Sequence, residues 1–422
     1  MHVPRNPPDT ERILSDTRYA GTILSEAVSG YARDFNERYL HWSEVRRRDT
    51  GDIDPDIVWT RMKLIREDSC ARLSLDSTVF RYMITENILK RICEFDMKAG
   101  YGTLSDNDGF LEKGCYSAES LMEESISSSQ AEGAVTTTRK AREMLRMNLR
   151  PRDRSETMIL NNYRAMLFIK AHLSETLTPD LIREVHGILT RDTMDERFVG
   201  RFRDNDDVAV QDAVTGEVFH QPVPKDRIEA YIGQLCDFVN REDTVHPLIK
   251  GMILHYTFAY IHPFEDGNGR VARSLFYWYE LGHGYPMMEY LSISRYIRDH
   301  KGRYGEAYVF GETDGNDMTY FFLYNLGALI DSAENFRSYL NERTEEERSV
   351  RTRISDLNDR QVSILTDAMK GGAVTVRSVI AEYGVSLNTA RTDIRILLER
   401  WLLRESGRET NAKVYSWSGK EI

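Results

Sequence analysis

HPFEDGNGRVAR, residues 262–273, brings a histidine, a carboxylate, a Gly-Asn-Gly turn and two arginines together in one short stretch. The two glycines permit a positive-φ backbone, which lets the chain come close to a ligand. Successive amides in such a turn point into one concavity and bind anions. The residues that follow, 270–281, have the pattern of a helix, so the turn lies at a helix N-terminus, where the helix dipole favours an anion. The stretch therefore predicts an anion site.

Four side chains around this turn give the predicted site its chemistry. Arg270 and Arg273 lie three positions apart on one helix face, so both guanidinium groups can reach the same anion. Asp266 offers the oxygen ligand that Mg²⁺ prefers when it bridges phosphates. His262 can take a proton from a hydroxyl near neutral pH. The residues predict a phosphoryl-anion site with a base and a metal ligand. The alternative is a turn that only joins two helices.

Every specified position of the Fic signature, His-x-Phe-x-(Asp/Glu)-Gly-Asn-Gly-Arg-x-x-Arg, is present in this stretch, which therefore resembles a Fic domain. The resemblance extends from about residue 120 to 345, through GRFR at 200–203, PVP at 222–224, HPLIK at 246–250 and DMTYFFL at 317–323. It implies a nucleotidyltransferase, a protein adenylyltransferase that transfers AMP from ATP to a Ser, Thr or Tyr hydroxyl. The target would be another protein or the chain itself.

The resemblance also implies a role for each residue of the motif. His262 would be the catalytic base, with Asn268 as the second catalytic residue, and Asp266 would hold Mg²⁺ on the α- and β-phosphates. Phe264 is expected to pack in the core and Glu265 to be exposed. The residues implied to hold the ATP phosphates are Gly267, Asn268, Gly269, Arg270 and Arg273.

Two further parts of the implied site lie outside the motif. Residues 208–220 alternate around a Thr-Gly turn and predict a β-hairpin. By resemblance this hairpin is the flap that pairs with a target segment, with Val208 and Val210 on the docking edge. The implied nucleoside contacts fall on His300 and Tyr304, but a glycine follows Tyr304 where relatives often carry a second aromatic residue. Base preference, and other donors such as UTP or CDP-choline, therefore stay open.

The Ser-rich stretch SISSSQAEG, residues 125–133, has two interpretations. By composition it is a linker that ends in a helix-stopping glycine. Ser128, Glu132 and Gly133, however, resemble the inhibitory motif of Fic proteins with an N-terminal inhibitory helix. Serine and glutamate four apart share one helix face, and a glycine closes a helix in the left-handed conformation. The resemblance implies that Glu132 pairs with Arg273 and so occupies the guanidinium meant for the γ-phosphate.

Helix signals frame the motif locally. Thr178 is a predicted N-cap with Pro179 at the first helical position. Residues 248–261 are apolar nearly all round and lead directly into His262, which predicts a buried central helix.

Length and composition set the frame for the whole chain. The 422 residues suffice for two or three domains, and the net charge of −11 argues against indiscriminate nucleic-acid binding. Four scattered cysteines without metal or disulfide spacing indicate a reducing compartment. With no signal-peptide pattern and no apolar run near the roughly 20 residues that span a bilayer, we expect a cytoplasmic protein that does not enter a membrane.

We expect a mainly α fold in three parts: an N-terminal helical region at 1–120, a helical Fic core with its β-hairpin flap at 121–345, and a winged helix-turn-helix at 346–422. The long apolar stripe in residues 57–93 is part of the expected helical region. A charged run at 341–348 is interpreted as the connector to the third part. The winged helix would bind DNA through a helix headed by Asn388, Thr389, Arg391 and Thr392, or serve protein docking or homodimer formation.

The leading hypothesis is an autoinhibited protein adenylyltransferase. A second hypothesis is the reverse reaction, removal of AMP from modified targets, with Glu132 positioning a water molecule. A third is a transcriptional regulator whose Fic core only senses nucleotide. The intact motif argues against an inactive enzyme.

Overall fold

A computed structural model describes residues 6–99, 115–211, 216–409 and 412–419. The described chain is mainly helical, with three two-stranded antiparallel sheets, so the predicted fold class is confirmed. Within these residues, no helix is long and apolar enough to cross a membrane.

The N-terminal region is a small helical layer followed by a hairpin. Asp54 caps the longest of its helices, and Pro55 occupies the first turn. Proline is favoured there because the backbone N–H that it lacks would have no partner within the helix at that position. The elements are α1 Thr10–Ser15, α2 Ala20–Ile23, α3 Glu26–Glu37, α4 Trp42–Val45, α5 Pro55–Ser69, β1 Ala71–Leu75, β2 Thr78–Tyr82 and α6 Glu86–Ala99.

The prediction of an all-helical stripe through residues 57–93 was wrong, because strands β1 and β2 interrupt it. Asp76 adopts a positive φ of 50° in the turn between them. Phe80, which lies within the expected helical stripe, is fully buried and packs edge-on against Tyr256 and Tyr260 of the central region. Long-range aromatic packing therefore decides the conformation of this segment.

The central region contains the motif. Thr178 caps its helix as predicted, and the helix that precedes His262 is buried along most of its length. The elements are α7 Cys115–Ala131, α8 Thr138–Arg146, α9 Arg154–Ala171, α10 Pro179–Thr190, β3 Val210–Gln211, β4 Val218–His220, α11 Ile228–Asn240, α12 Pro247–Ile261, α13 Asn268–Gly282, α14 Ile293–Asp299, α15 Lys301–Thr313 and α16 Thr319–Arg353, with 3₁₀ turns at Glu196–Phe198, Lys225–Arg227 and Pro286–Tyr290.

The charged run at 341–348 is not a connector, which corrects our interpretation. It forms the second half of α16, a continuous helix of 35 residues. Arg343 in this run is buried, where it pairs with Glu347 one turn on and with Asp367 of the following region. The predicted boundary near residue 345 thus falls inside a helix.

The C-terminal region consists of three helices followed by a two-stranded hairpin. Ser386 caps the third of these helices, and Gly384 makes the preceding turn with a φ of 60°. The elements are α17 Asp359–Met369, α18 Val376–Tyr383, α19 Leu387–Glu399, β5 Leu403–Glu409 and β6 Ala412–Trp417. The assignment as a winged helix stays a prediction.

Candidate active site

The motif loop is defined by two left-handed residues. His262 ends α12 with a φ of 51°, and Gly267 begins α13 with a φ of 86°. The buried side chain of Asn268, the residue after Gly267, bonds back to Phe264 inside the loop. It accepts a hydrogen bond from the Phe264 amide at 2.9 Å and donates one to the Phe264 carbonyl at 2.8 Å. The first amides of α13 have no partner within the helix, so they remain as donors for an anion.

His262 is placed as a neutral base. Its Nδ1 lies 3.2 Å from the carbonyl of Ala259, and since a carbonyl only accepts, the neutral ring carries its proton there and leaves Nε2 as the base. Burial lowers the pKa of His262 to about 4. Arg203 holds the backbone of the same residue, donating from Nε to the His262 carbonyl at 3.0 Å.

Two residues to which the sequence analysis assigned no role support the loop. His186 stacks on Phe264 with ring centroids 3.7 Å apart. Its Nε2 donates to the carbonyl of Asp266 at 3.0 Å, while its Nδ1 accepts from the amide of Gly200 at 2.9 Å. Arg203, with a fully buried side chain, is the second. The two contacts span 80 and 59 positions of the chain, and single-sequence spacing carries no signal for contacts at such a distance.

Asp266 and Arg270 form the open, polar part of the site. Half of the Asp266 side chain is exposed, and its Oδ2 lies 3.4 Å from Arg154 and 3.6 Å from Arg270. Arg270 is buried and donates to the carbonyl of Leu189 at 3.0 Å. Its Nε and Nη2 are buried without a hydrogen-bond partner among the residues that the structure describes. Burial lowers the pKa of Arg270 because it disfavours the charged guanidinium, so a bound anion beside it would stabilise that charge.

Arg273 is held by the helix that precedes the core. Its Nε donates to the Ser128 hydroxyl at 2.9 Å, and its Nη2 donates to the Ser128 carbonyl at 3.1 Å and to Glu132 at 2.9 Å. Glu132 also packs on Gly269, where a Cβ would lie 2.2 Å from its Oε1. Gly133 ends this segment with a φ of 91°. Of the three predicted inhibitory residues, the structure therefore places Ser128 and Glu132 against the motif, and Gly133 in the turn that follows them.

The charges of this pair stabilise each other. Burial alone would raise the pKa of Glu132, but the charges of Arg273 and Arg270 and the hydrogen bond from Arg273 lower it. Burial would lower the pKa of Arg273, yet the charge of Glu132 and other neighbouring groups raises it. Both groups are therefore ionised at neutral pH, and the guanidinium is occupied.

The site roles expected of His300, Tyr304 and Asn268 stay predictions, whereas the exposure expected of Glu265 is wrong. His300 lines a cleft of about 1020 Å³ between α8, α14 and α16, a lining to which residues 262–273 do not contribute in the described chain. The Tyr304 hydroxyl lies 2.9 Å from His255 and is one of the neighbouring groups that raise the pKa of Arg273, so it lies beside the motif. The side chain of Asn268 bonds both backbone groups of Phe264 and so fixes the loop. Glu265 is half-buried and accepts a hydrogen bond from Asn205 instead of being exposed.

The predicted hairpin is present and short. Strands β3 and β4 pair antiparallel, with Val210 opposite His220. Val210 is partly exposed and Val208 lies just before the strand; residues 212–215, at the predicted turn, lie outside the described residues. His220 anchors the second strand, its ring 2.8 Å from Glu312 and 2.7 Å from the carbonyl of Tyr260.

Comparison with known proteins agrees with this geometry. Residues 176–279 match the model of the Fic/DOC family. Protein adenylyltransferase Fic from Nematostella vectensis is 36% identical over 104 residues, 24% of this chain and 22% of that protein. Protein adenylyltransferase fic-1 from Caenorhabditis elegans is 34% identical over 67 residues, 15% of this chain and 13% of that protein. The chain thus matches less than a quarter of the length of these curated relatives.

Solved structures show the same fold. A Fic family protein from Desulfovibrio desulfuricans superposes with a TM-score of 0.52 at 21% identity, covering 80% of this chain and 96% of that one. A fragment of Fic-1 from C. elegans superposes with a TM-score of 0.53 at 16% identity, covering 79% and 94%. Residues 176–279 of this chain are therefore a Fic domain.

Proposed function

We propose that this chain is an autoinhibited protein adenylyltransferase, which transfers AMP from ATP to a side-chain hydroxyl of a target protein. The observation that carries the proposal is the contact of Glu132 with Arg273 at 2.9 Å, directly above Gly269. It joins a complete anion-binding motif to a carboxylate that competes for the same guanidinium. The names of the relatives support AMP as the transferred group.

In the proposed reaction, Nε2 of His262 takes the proton of the target hydroxyl as its oxygen forms a bond to the α-phosphorus. The bond from that phosphorus to the bridging oxygen breaks, and pyrophosphate leaves with the electron pair. The amides that begin α13 and the guanidinium of Arg270 hold the phosphates. Asn268 and Arg203 act by fixing the loop.

The residues present fit a magnesium ion carried in with the nucleotide. The structure gives no cluster of three or more metal-ligating side chains among its described residues. Mg²⁺ in nucleotide sites, however, needs only one or two protein carboxylates, the rest of its shell being phosphate oxygens and water. Asp266 is half-exposed and only loosely paired, so it can supply that carboxylate. When bound, the ion would offset charge on the leaving pyrophosphate.

Autoinhibition follows from competition for Arg273. Removing one partner of a fully buried ion pair costs about 3–5 kcal/mol. A third of the Glu132 side chain is exposed, at 34%, so this pair contributes less. Each 1.4 kcal/mol corresponds to a tenfold change, and we expect a brake of about 10- to 100-fold.

The test is Mg²⁺-dependent labelling with α-³²P-ATP of the wild type, Glu132→Gly, and Glu132→Gly combined with His262→Ala. We expect label on Glu132→Gly, little on the wild type and none on the double variant. Equal labelling of wild type and Glu132→Gly would remove the inhibitory assignment. Absence of label on all three, with ATP binding intact, would refute the proposal that the chain transfers AMP from ATP.

The reverse reaction, removal of AMP, stays the alternative for the same site. Glu132 lies beside the loop of His262 with a third of its side chain exposed, so a water molecule can reach it. An AMP-modified target decides between the directions. Loss of AMP that requires Glu132 would favour removal, whereas gain of AMP on Glu132→Gly favours transfer.

DNA binding by the C-terminal region is a second candidate function. Asn388, Arg391, Thr392 and Arg395 are exposed at helical spacing on α19, opposite its buried residues. This is the arrangement of a helix that can enter the major groove. Sequence-specific DNA retention that persists in His262→Ala would support it. Retention that is absent, together with a dimer in solution, would favour the docking alternative.

A further inference from the structure

The inhibitory helix and the motif helix face each other through two matching rows of side chains. On α7, Glu124, Ser128 and Glu132 are each four positions apart, and Glu132 directly follows the helix end. On α13, Gly269, Arg273 and Tyr277 are also four apart. Residues at this spacing lie on one helix face, so each row projects toward the other helix.

The two rows contact each other in antiparallel order. Glu132 packs on Gly269 and accepts from Arg273, and Ser128 accepts from Arg273 one turn away. At the far end, Glu124 lies 2.9 Å from the hydroxyl of Tyr277. The competing carboxylate is therefore one end of a ladder whose other end is Glu124.

Glu124 is the most completely bonded carboxylate of this ladder. It is only 2% exposed. Besides Tyr277, it accepts from the Ser292 hydroxyl at 3.0 Å, the Ser294 amide at 3.0 Å and the Ser294 hydroxyl. A buried carboxylate is stable only when it is hydrogen-bonded, and these donors sit on α13 and at the start of α14. They satisfy Glu124 in one register of α7 only, because a slip of one turn moves it by about 5.4 Å.

We infer that Glu124 is the positioning residue that fixes the register of α7, and through it holds Glu132 on Arg273. The inference rests on the proposed function for its activity readout. Glu124 touches none of the atoms that would react. It acts on the site only through the helix that carries Ser128 and Glu132.

The experiment compares Glu124→Ala, Glu124→Gln and Glu123→Ala in the full chain, each with and without Glu132→Gly. Glu123 is the matched control, because it is the neighbouring carboxylate on α7 but pairs with Arg142 of α8, and at 3.9 Å with Arg298 near the end of α14, instead of with α13. The measurements are the rate of AMP transfer from ATP, the equilibrium affinity for ATP, and hydrogen exchange of residues 124–132. Tyr277→Phe, which removes one hydroxyl, replaces Glu124→Ala if that variant does not fold.

We expect Glu124→Ala to raise the AMP-transfer rate about tenfold. Loss of one hydrogen bond to a charged group shifts an equilibrium by about that factor, here the equilibrium between bound and displaced α7. ATP affinity and hydrogen exchange in α7 should rise with it, Glu124→Gln should change them less, and the Glu132→Gly background should show no further gain. An equal gain in that background, or the same effect from Glu123→Ala, would overturn the inference.

Failure of the proposed function gives a different pattern. In that case Glu132→Gly itself transfers no AMP, and the positioning role of Glu124 is tested by ATP affinity alone. If Glu132→Gly binds ATP more tightly and Glu124→Ala does so too, the positioning role stands without the enzyme activity. If only Glu132→Gly gains affinity, the positioning role is wrong.

Discussion

Two histidines around the motif loop are neutral and fixed in one tautomer each. Burial lowers the pKa of His186 and of His262 to about 4. His186 receives the amide of Gly200 on Nδ1 and donates from Nε2 to Asp266, so its proton position is set by backbone atoms. His262 donates from Nδ1 to Ala259. The first histidine thus supports the loop, and the second presents a free Nε2.

The low pKa of His262 predicts the acid limb of the pH profile. A base works when unprotonated, so kcat/KM for AMP transfer by Glu132→Gly should stay level below pH 6.5 and fall only as the pH approaches about 4. The loss of Glu132 removes a charge that raises the pKa of His262, so this variant cannot move the limb upward. A midpoint near 6.5, with the fold intact by circular dichroism, would contradict the prediction.

Arg203 should matter for rate more than for nucleotide binding. Its buried guanidinium donates to the carbonyls of His262, Asn205 and Val223, so Arg203→Ala releases the backbone that aims the base. A displacement of about 1 Å at a reacting group costs about 100-fold in rate, and we expect a loss of that order in kcat within Glu132→Gly. ATP affinity should be nearly unchanged. The exposed Arg201→Ala is the control, and an equal loss there would refute the role.

At the scale of elements, local signals predicted some helices and distant contacts decided the others. Thr178 with Pro179, and the left-handed glycine before α13, are signals that a few neighbouring residues carry. Strands β1 and β2 could not be predicted in this way, because Phe80 is buried by aromatic rings almost 180 positions along the chain. His186 and Arg203 escaped notice in the site for the same reason.

In the charged half of α16, a stretch whose composition is typical of a protein surface contains buried residues. Arg343 is 4% exposed and donates to Glu347, Asp367 and Ser363. Arg343→Ala removes the buried cation that contacts both carboxylates. Because a quarter of the Asp367 side chain is exposed, we expect a loss of about 3 kcal/mol in the free energy of unfolding, the lower end of the cost for a buried pair. Urea denaturation measures it. Arg348→Ala, on the exposed side of the same helix, should change the free energy of unfolding by no more than about 0.5 kcal/mol. Similar losses in both variants would contradict a stabilising role that is specific to the buried Arg343.

For the whole molecule, the C-terminal region shares one charge cluster with α7 and α8. Glu382 of α18 faces Asp367 of α17, Arg146 of α8 and Glu119 of α7, and Arg146 also bonds Glu119 directly. The hydroxyl of Thr375 lies 3.8 Å from the sulfur of Met147 in the same junction. The order of α7 and α8 is therefore linked to the stability of the C-terminal helices.

This junction should weaken as the pH rises. Burial first, and then the charge of Asp367, raise the pKa of Glu382 to about 8. A carboxyl group whose folded pKa is raised binds its proton more tightly in the folded state, so its contribution is complete below the unfolded value near 4.5 and is lost as the pH rises through about 8. The free energy of unfolding should fall by at least about 1.4 kcal/mol, the equivalent of one pKa unit, from pH 5 to 9. Glu382→Gln cannot titrate and should abolish that fall, whereas Glu143→Gln, at an exposed position on α8, should retain it. Urea midpoints across this range provide the measurement, and a wild-type slope that survives in Glu382→Gln would place the titrating group elsewhere.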